Sequence, residues 1–464
     1  MIVPRNRLLW WFAVVVLPFA LLAAVEPGAA GVSLAFIGAL IAAGVVDAIR
    51  ARNSLAGISV TLPEIARVSK NREAKLELRV RNTRQTPRTV RVALGMPREI
   101  QSPEEVEAAL PDGSEWSRFL WTCLPLQRGR YRIEAAYLEA GSPLGFWSVR
   151  KTAPVRAEIR VYPNLFTERR NLAALFLNRG AFGLHAQRQV GKGREFEKLR
   201  EYVPGDGYDE IHWKATAKRG RPITKVFQIE RTQEVYVVMD ASRLSARKPE
   251  KSGVSRQGAV ASAHGQQTAD HGLRTPDSVL ERFVTAALTL GLAAEQQGDL
   301  FGLLTFTNQV EKFIRAKNGK AHYSACRDAL YTLQPQIVSP DFDELCTFIR
   351  LRLRRRALLF FLTSLDDPVL ADNFIKNLDL IRRQHLVLVN MLQPTGVAEV
   401  FSNPNLATLD ELYQHLGGHL LWHHLRELEK VLQRRGVRFS LLKNENLTVQ
   451  LVSQYLGVKR RQLL

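Results

Sequence analysis

Side chains able to move protons crowd into residues 191–231, GKGREFEKLREYVPGDGYDEIHWKATAKRGRPITKVFQIER, among them Glu195, Glu197, Glu201, Asp206, Asp209 and His212. Carboxylates and an imidazole at this density are the groups that general acid–base chemistry uses. Arg194, Lys198, Arg200, Lys214, Lys218 and Arg219 are interleaved with them. Polar groups this dense must pair, face water or meet a partner. The expectation is pairing that stiffens an irregular segment, with Trp213 as a packing anchor. A second set closes two apolar runs. Asp240 and Ser242 follow VYVVM, and Thr363, Ser364, Asp366 and Asp367 follow ALLFFL. Carboxylate and hydroxyl oxygens are the hard donors that Mg²⁺ takes.

Other constellations carry less. Gly191-Lys192-Gly193 lacks the Ser/Thr and the helix start that a phosphate-cradling loop requires. His415, His419 and His423 fall on one helical face, but no carboxylate or cysteine completes a zinc set. The expectation there is a solvated or packed face. Arg350, Arg352, Arg354, Arg355 and Arg356 end a helical pattern, where cations favour the helix C-terminus.

The chain must position these residues with three kinds of element. Residues 8–25 and 31–46 are uncharged and apolar, separated by Glu26-Pro27-Gly28. Each approaches the roughly 20 residues that cross a bilayer. Residues 1–50 therefore read as a two-helix transmembrane hairpin. Arg5, Arg7, Arg50 and Arg52 flank it, which places both ends and all that follows in the cytoplasm. Leu76, Leu78 and Val80, then Val90, Val92 and Leu94, alternate with polar residues, so residues 55–165 read as a β-sandwich of immunoglobulin-like type. From 235 to 464, apolar strands alternate with helices, the pattern of a doubly wound α/β domain. In such a sheet the ligand crevice lies past the carboxyl ends of the strands, where Asp240, Ser242 and Asp366 fall. Residues 245–277 interrupt the pattern with Ser, Gly, Gln and Ala and read as a disordered insertion.

The formal charge of +20 admits nucleic acid, anionic lipid or acidic proteins as partners. No nucleic-acid fold signature accompanies it, so nucleic acid is not the expected partner. The three cysteines, Cys123, Cys326 and Cys346, show no metal-ligand spacing and read as reduced, buried thiols.

The matching residues of the 191–231 segment are Gly191, Gly193, Glu195, Phe196, Glu197, Leu199, Arg200, Glu201, Tyr202, Pro204, Gly205, Asp206, Ile211, Trp213, Ala215, Thr216, Ala217 and Lys218. With the strand–helix alternation after them, they resemble the family called domain of unknown function 58 (DUF 58). Gly207, Asp209-Glu210 and His212 depart from the family pattern. The resemblance implies a von Willebrand factor A-like α/β domain preceded by the sandwich and the membrane hairpin. It implies partner binding through Glu195, Glu197, Arg200, Tyr202, Gly205, Asp206, Trp213 and Lys214. It also implies an accessory role beside an AAA+ ATPase of the MoxR type at the inner membrane. The metal-ion-dependent adhesion pattern of such domains, Asp-x-Ser-x-Ser with a later Thr and Asp, is incomplete. Leu244 replaces the second Ser, and Ser364 replaces the Asp. At most weak Mg²⁺ binding at Asp240, Ser242 and Asp366 is implied. The leading expectation is a membrane-anchored, cytoplasmic protein-binding adaptor rather than an enzyme. The alternatives are a metal-dependent hydrolase using the Asp240 crevice and a basic nucleic-acid-binding protein.

Overall fold

The computed structural model describes residues 1–166, 168, 170, 172, 190–204, 207–228, 233–247, 278–394, 396–397 and 409–461. The expected insertion at 245–277 lies outside the described residues from 248 onward. Two compact units emerge, residues 1–164 and the chain from Leu165.

The first unit joins an apolar hairpin to a pair of β-sheets. Strand β1 (Ile2–Pro4) leads into helix α1 (Asn6–Val25, 20 residues), and helix α2 (Ala30–Ala51, 22 residues) returns beside it. Both are long and apolar enough to cross a membrane. Pro18 has no N–H to give its helix, and the chain answers with a π-helical stretch at Phe12–Val16 just before it. Phe19 of α1 stacks on Phe36 of α2 at 4.8 Å.

Nine further strands follow: β2 (Ile58–Thr61), β3 (Ile65–Ser69), β4 (Ala74–Asn82), β5 (Arg88–Leu94), β6 (Ile100–Gln101), β7 (Val106–Leu110), β8 (Trp116–Pro125), β9 (Gly129–Gly141) and β10 (Trp147–Tyr162). They form one sheet of order β1-β10-β9-β5-β7, with β3 also on β10, and another of order β2-β4-β8-β6. The period-two alternation decides which side chains face inward. Leu76, Leu78 and Val80 from one sheet meet Val90, Val92 and Ile133 from the other in a shared core. The sandwich expected for 55–165 is thus extended at its N-terminal edge. Residues 2–4, expected as part of the membrane segment, pair antiparallel with Trp147–Val149. Asp47, near the end of α2, is fully buried and accepts hydrogen bonds from the backbone N–H of Leu144 (3.0 Å) and Phe146 (3.3 Å).

The second unit holds a small hairpin and a three-layer α/β domain. Strands β11 (Val190–Glu201) and β12 (Ile223–Gln228) form a two-stranded antiparallel sheet, with helix α3 (Trp213–Arg219) in the connection between them. Then come β13 (Glu234–Asp240), α4 (Val279–Gln296), β14 (Leu300–Phe306), β15 (Val310–Lys317), α5 (Lys320–Leu330), α6 (Phe342–Arg352), β16 (Ala357–Leu362), α7 (Pro368–Leu378), β17 (Leu386–Leu392), α8 (Leu409–Arg434), β18 (Arg438–Leu442) and α9 (Leu447–Arg460). The sheet order is β15-β14-β13-β16-β17-β18, with only β15 antiparallel. Its strands are apolar on both faces because helices cover both. Val235, Val237 and Met239 face the layer containing α4, α5 and α9. Tyr236 and Val238 face the layer of α6, α7 and α8. Numbered along the chain, the strand order is 3-2-1-4-5-6, so the direction of winding reverses between β13 and β16.

Candidate functional site

Asp240 sits at this switch point and is completely buried. Its neighbours across the sheet are the ends of β14 and β16. Its Oδ1 accepts the backbone N–H of Ser242 at 2.8 Å, and its Oδ2 accepts the Thr363 hydroxyl at 2.7 Å. Burial pushes the Asp240 carboxyl above its usual range, and the Ser242 and Thr363 hydrogen bonds only partly oppose this. Ser242 is equally enclosed. Its Oγ accepts from the N–H of Leu244 at 3.3 Å, and its carbonyl accepts the Ser245 hydroxyl at 2.9 Å.

The segment before α6 laces over this end of the sheet. Gln336 N–H donates to the Ala241 carbonyl at 2.8 Å, and Arg243 N–H donates to Val338 at 3.0 Å. The Asp341 N–H reaches Thr307 at 3.0 Å. Beyond β16, Asp366 Oδ2 is paired with the Arg247 guanidinium, while its Oδ1 is buried without a hydrogen-bond partner among the described residues. Asp367 caps α7 by accepting from Val369 N–H at 2.9 Å. The oxygens of Asp240 and Ser242 are thus committed to the chain, and a guanidinium already neutralises Asp366. Leu244 is buried where a second hydroxyl is needed. This donor set fits Mg²⁺ poorly, because a hard cation needs several uncommitted oxygens in a near-octahedral shell. No group of three or more His, Cys, Asp or Glu side chains converges among the described residues.

The 191–231 segment is built in the opposite way. Its hairpin closes through the Tyr202 N–H to Pro222 carbonyl bond at 3.0 Å and the His212 N–H to Ile223 carbonyl bond at 2.7 Å. His212 caps α3, its Nδ1 accepting the Ala215 N–H at 3.0 Å. The helix stops at Gly220, whose φ of +67° suits a residue without a Cβ. Ile211 and Ile223 are the buried residues that hold the connection.

Trp213 is therefore not the expected packing anchor: it is 69% exposed. It occupies the first position of a two-turn helix whose anchoring contacts come from the strand residues beside it. Tyr208 is 76% exposed and stacks against Tyr202 at 6.3 Å. Lys214, Lys218, Arg219 and Arg221 are exposed around them. Of the carboxylates, Glu201 pairs with Arg221 at 2.8 Å, a partner two residues beyond the last of the expected cations. Arg200 lies in β11 opposite Thr224. Glu195 and Glu197 also lie in β11, Glu195 opposite Gln228 of β12 and Glu197 at the register shift between Phe196 and Lys198. Their side chains, with Gly205 and Asp206, lie outside the described residues. Gly191-Lys192-Gly193 is part of strand β11, not a loop opening a helix.

Among the described residues the histidines of α8 form no metal-holding group, and His419 stacks on Trp422 at 5.7 Å.

Residues 198–398 match a family model described as protein of unknown function DUF58. The match begins within the hairpin and runs through most of the α/β sheet. No curated protein matches the chain. Among solved structures, the conserved hypothetical protein BatB from Bacteroides thetaiotaomicron is 11% identical, covering 49% of this chain and 99% of its own, with a TM-score of 0.29. Proximal thread matrix protein 1 from the mussel byssus is 11% identical over 47% of this chain and 44% of its own (TM-score 0.24). The same mussel protein with a zinc-occupied MIDAS motif is 10% identical, covering 40% and 39% (TM-score 0.22). At these TM-scores the likenesses say nothing finer about this chain.

Proposed function

We propose that the chain is a membrane-anchored, cytoplasmic protein-binding adaptor whose α/β domain is von Willebrand factor A-like, and that the hairpin around α3 is its docking element. The carrying observation is the exposure of Trp213 and Tyr208 beside Lys214, Lys218 and Arg219. A large aromatic surface left in water costs solvation and is typical of recognition surfaces, where Trp, Tyr and Arg carry most of the binding energy. The helix and its following turn, residues 213–221, hold four basic residues and no acidic one, so the matching surface is acidic with an apolar pocket. The resemblance to DUF 58 makes a MoxR-type AAA+ ATPase the partner to test.

Docking fits better than hydrolysis, because Asp240, the carboxylate a hydrolase would use, is sealed and fully bonded. The two apolar helices support anchoring in a membrane. Arg5 and Arg7 at one end and Arg50 and Arg52 at the other support a cytoplasmic location for the rest.

The test is biolayer interferometry of full-length protein in nanodiscs against the MoxR-type ATPase of the same cell. Trp213→Ala should weaken binding at least about tenfold. Binding unaffected by that change would remove the hairpin from the interface, and no binding by the unaltered protein would remove this partner.

A further inference from the structure

The turn between β9 and β10, Ser142 to Phe146, is held against the last turns of α2 by several independent bonds. Asp47 accepts the N–H groups of Leu144 and Phe146. The Trp147 indole N–H donates to the Gly44 carbonyl at 2.9 Å. Just before the other helix, the Arg5 N–H donates to the Phe146 carbonyl at 2.8 Å, and β1 continues the attachment along β10. Gly44 and Asp47 bracket the end of the uncharged run 31–46. At about 1.5 Å of rise per residue, the turn lies within about 5 Å of the apolar boundary of α2 along its axis. Leu144, at the tip, is 52% exposed.

Two exposed arginines lie at this end of the helix pair. Arg7 rests on Gly145: a Cβ added there would stand 3.2 Å from the Arg7 Nη1. Gly145 has φ +78°, which the tight turn requires. Arg50 is three residues beyond Asp47 on α2 and so projects from the same side of the helix. An apolar tip, an indole with its N–H tied down and two guanidiniums at one level make an arrangement suited to the lipid headgroup layer.

We propose that the β9–β10 turn is an interfacial lipid site, with Leu144 entering the headgroup boundary and Arg7 and Arg50 binding the phosphates of acidic phospholipids. Guanidinium groups suit this role because their planar fork matches phosphate oxygens. The site rests on the reading that α1 and α2 span a bilayer, and it adds the sandwich itself to the membrane contact.

The test uses full-length protein in nanodiscs with an environment-sensitive fluorophore on a single introduced cysteine. The native Cys123, Cys326 and Cys346 are buried, and burial pushes the thiols of Cys326 and Cys346 up to about 11 and about 12, so they compete poorly for label. Leu144→Cys, Leu21→Cys within α1 and Gln127→Cys, at the far end of β9, are compared with acyl-brominated lipid. Quenching is expected at 21 and 144 and not at 127. At equal mole fraction, brominated phosphatidylglycerol should quench position 144 more than brominated phosphatidylcholine, reflecting about fivefold enrichment per arginine. Arg7→Ala with Arg50→Ala should equalise the two lipids. An unquenched position 21 would overturn the membrane reading itself. Quenching at 21 without quenching at 144, or equal quenching at 144 by both lipids, would overturn the lipid site alone.

Discussion

The Asp240 crevice and the α3 hairpin belong to one unit and use similar residue types, yet they treat them oppositely. In the crevice, each polar atom of Asp240 and Ser242 meets a donor or acceptor from the chain, and water is excluded. In the hairpin, the backbone bonds are closed while the large side chains, Trp213 and Tyr208, stand in solvent. A satisfied buried polar group contributes to a unique fold, and its removal strands its partners. An exposed aromatic contributes little to folding and much to association. The carboxylate at the crevice is thus bonded into the fold, and Trp213, expected as a packing residue, is the one left exposed.

The largest expected effect breaks this contrast if it fails to appear. Asp240→Ala should destabilise the protein by about 3–4 kcal/mol in urea denaturation, because the Thr363 hydroxyl and Ser242 N–H lose their acceptor inside a dry site. A loss under about 1 kcal/mol would mean that water reaches the crevice and that Asp240 is free for chemistry.

A second buried polar group supplies a pH test of the same domain. His385 is enclosed, neither ring nitrogen has a hydrogen-bond partner among the described residues, and burial holds its pKa down to about 4. The unfolded chain binds this proton near pH 6.5 and the folded chain does not until about 4, so stability is lost as pH falls through that window. The loss should reach about 3 kcal/mol and should vanish in His385→Gln. Asp240 acts in the opposite sense. Its raised carboxyl pKa makes it contribute stability below the unfolded value that fades as pH rises through the folded one. Asp240→Asn should remove that component. A pH–stability curve unchanged by His385→Gln would show that the imidazole is solvated.

On the hairpin side, Trp213→Ala should change the unfolding free energy by less than about 1 kcal/mol, even while partner affinity falls. A loss of 3 kcal/mol or more would return Trp213 to the core. The smallest effect concerns Mg²⁺. With Asp366 paired to Arg247, affinity should be millimolar at best, and 1 mM Mg²⁺ should then add no more than about 0.4 kcal/mol of stability. Micromolar binding in calorimetry, abolished by Asp240→Ala, would show that an adhesion-type site forms despite Leu244 and Ser364.

Much of the α/β domain was legible from local pattern. Short apolar runs such as ALLFFL and LVLVNM have the length of strands covered on both faces, and their spacing by amphipathic helices implies a parallel sheet. Strand β15, with the sequence VEKFIRAK, shows no clean alternation because an edge strand is half solvated. Helix α9 follows the last strand of the sheet without a further strand after it. The apolar hairpin and the sandwich alternation were also local signals, readable because the periodicity of side chains along a helix or strand is fixed by backbone geometry.

Exposure and long-range pairing were decided only by the tertiary structure. The pairing of Thr363 with Asp240 joins residues 123 apart, that of Arg247 with Asp366 joins residues 119 apart, and the bond from Leu144 N–H to Asp47 spans 97. No local periodicity encodes such contacts, because they depend on which strands become neighbours and where their ends meet. Trp213 carries the same lesson at short range. Its residue type favours burial, but its place at the start of α3, with Ile211 and Ile223 already holding the connection, leaves its ring in water.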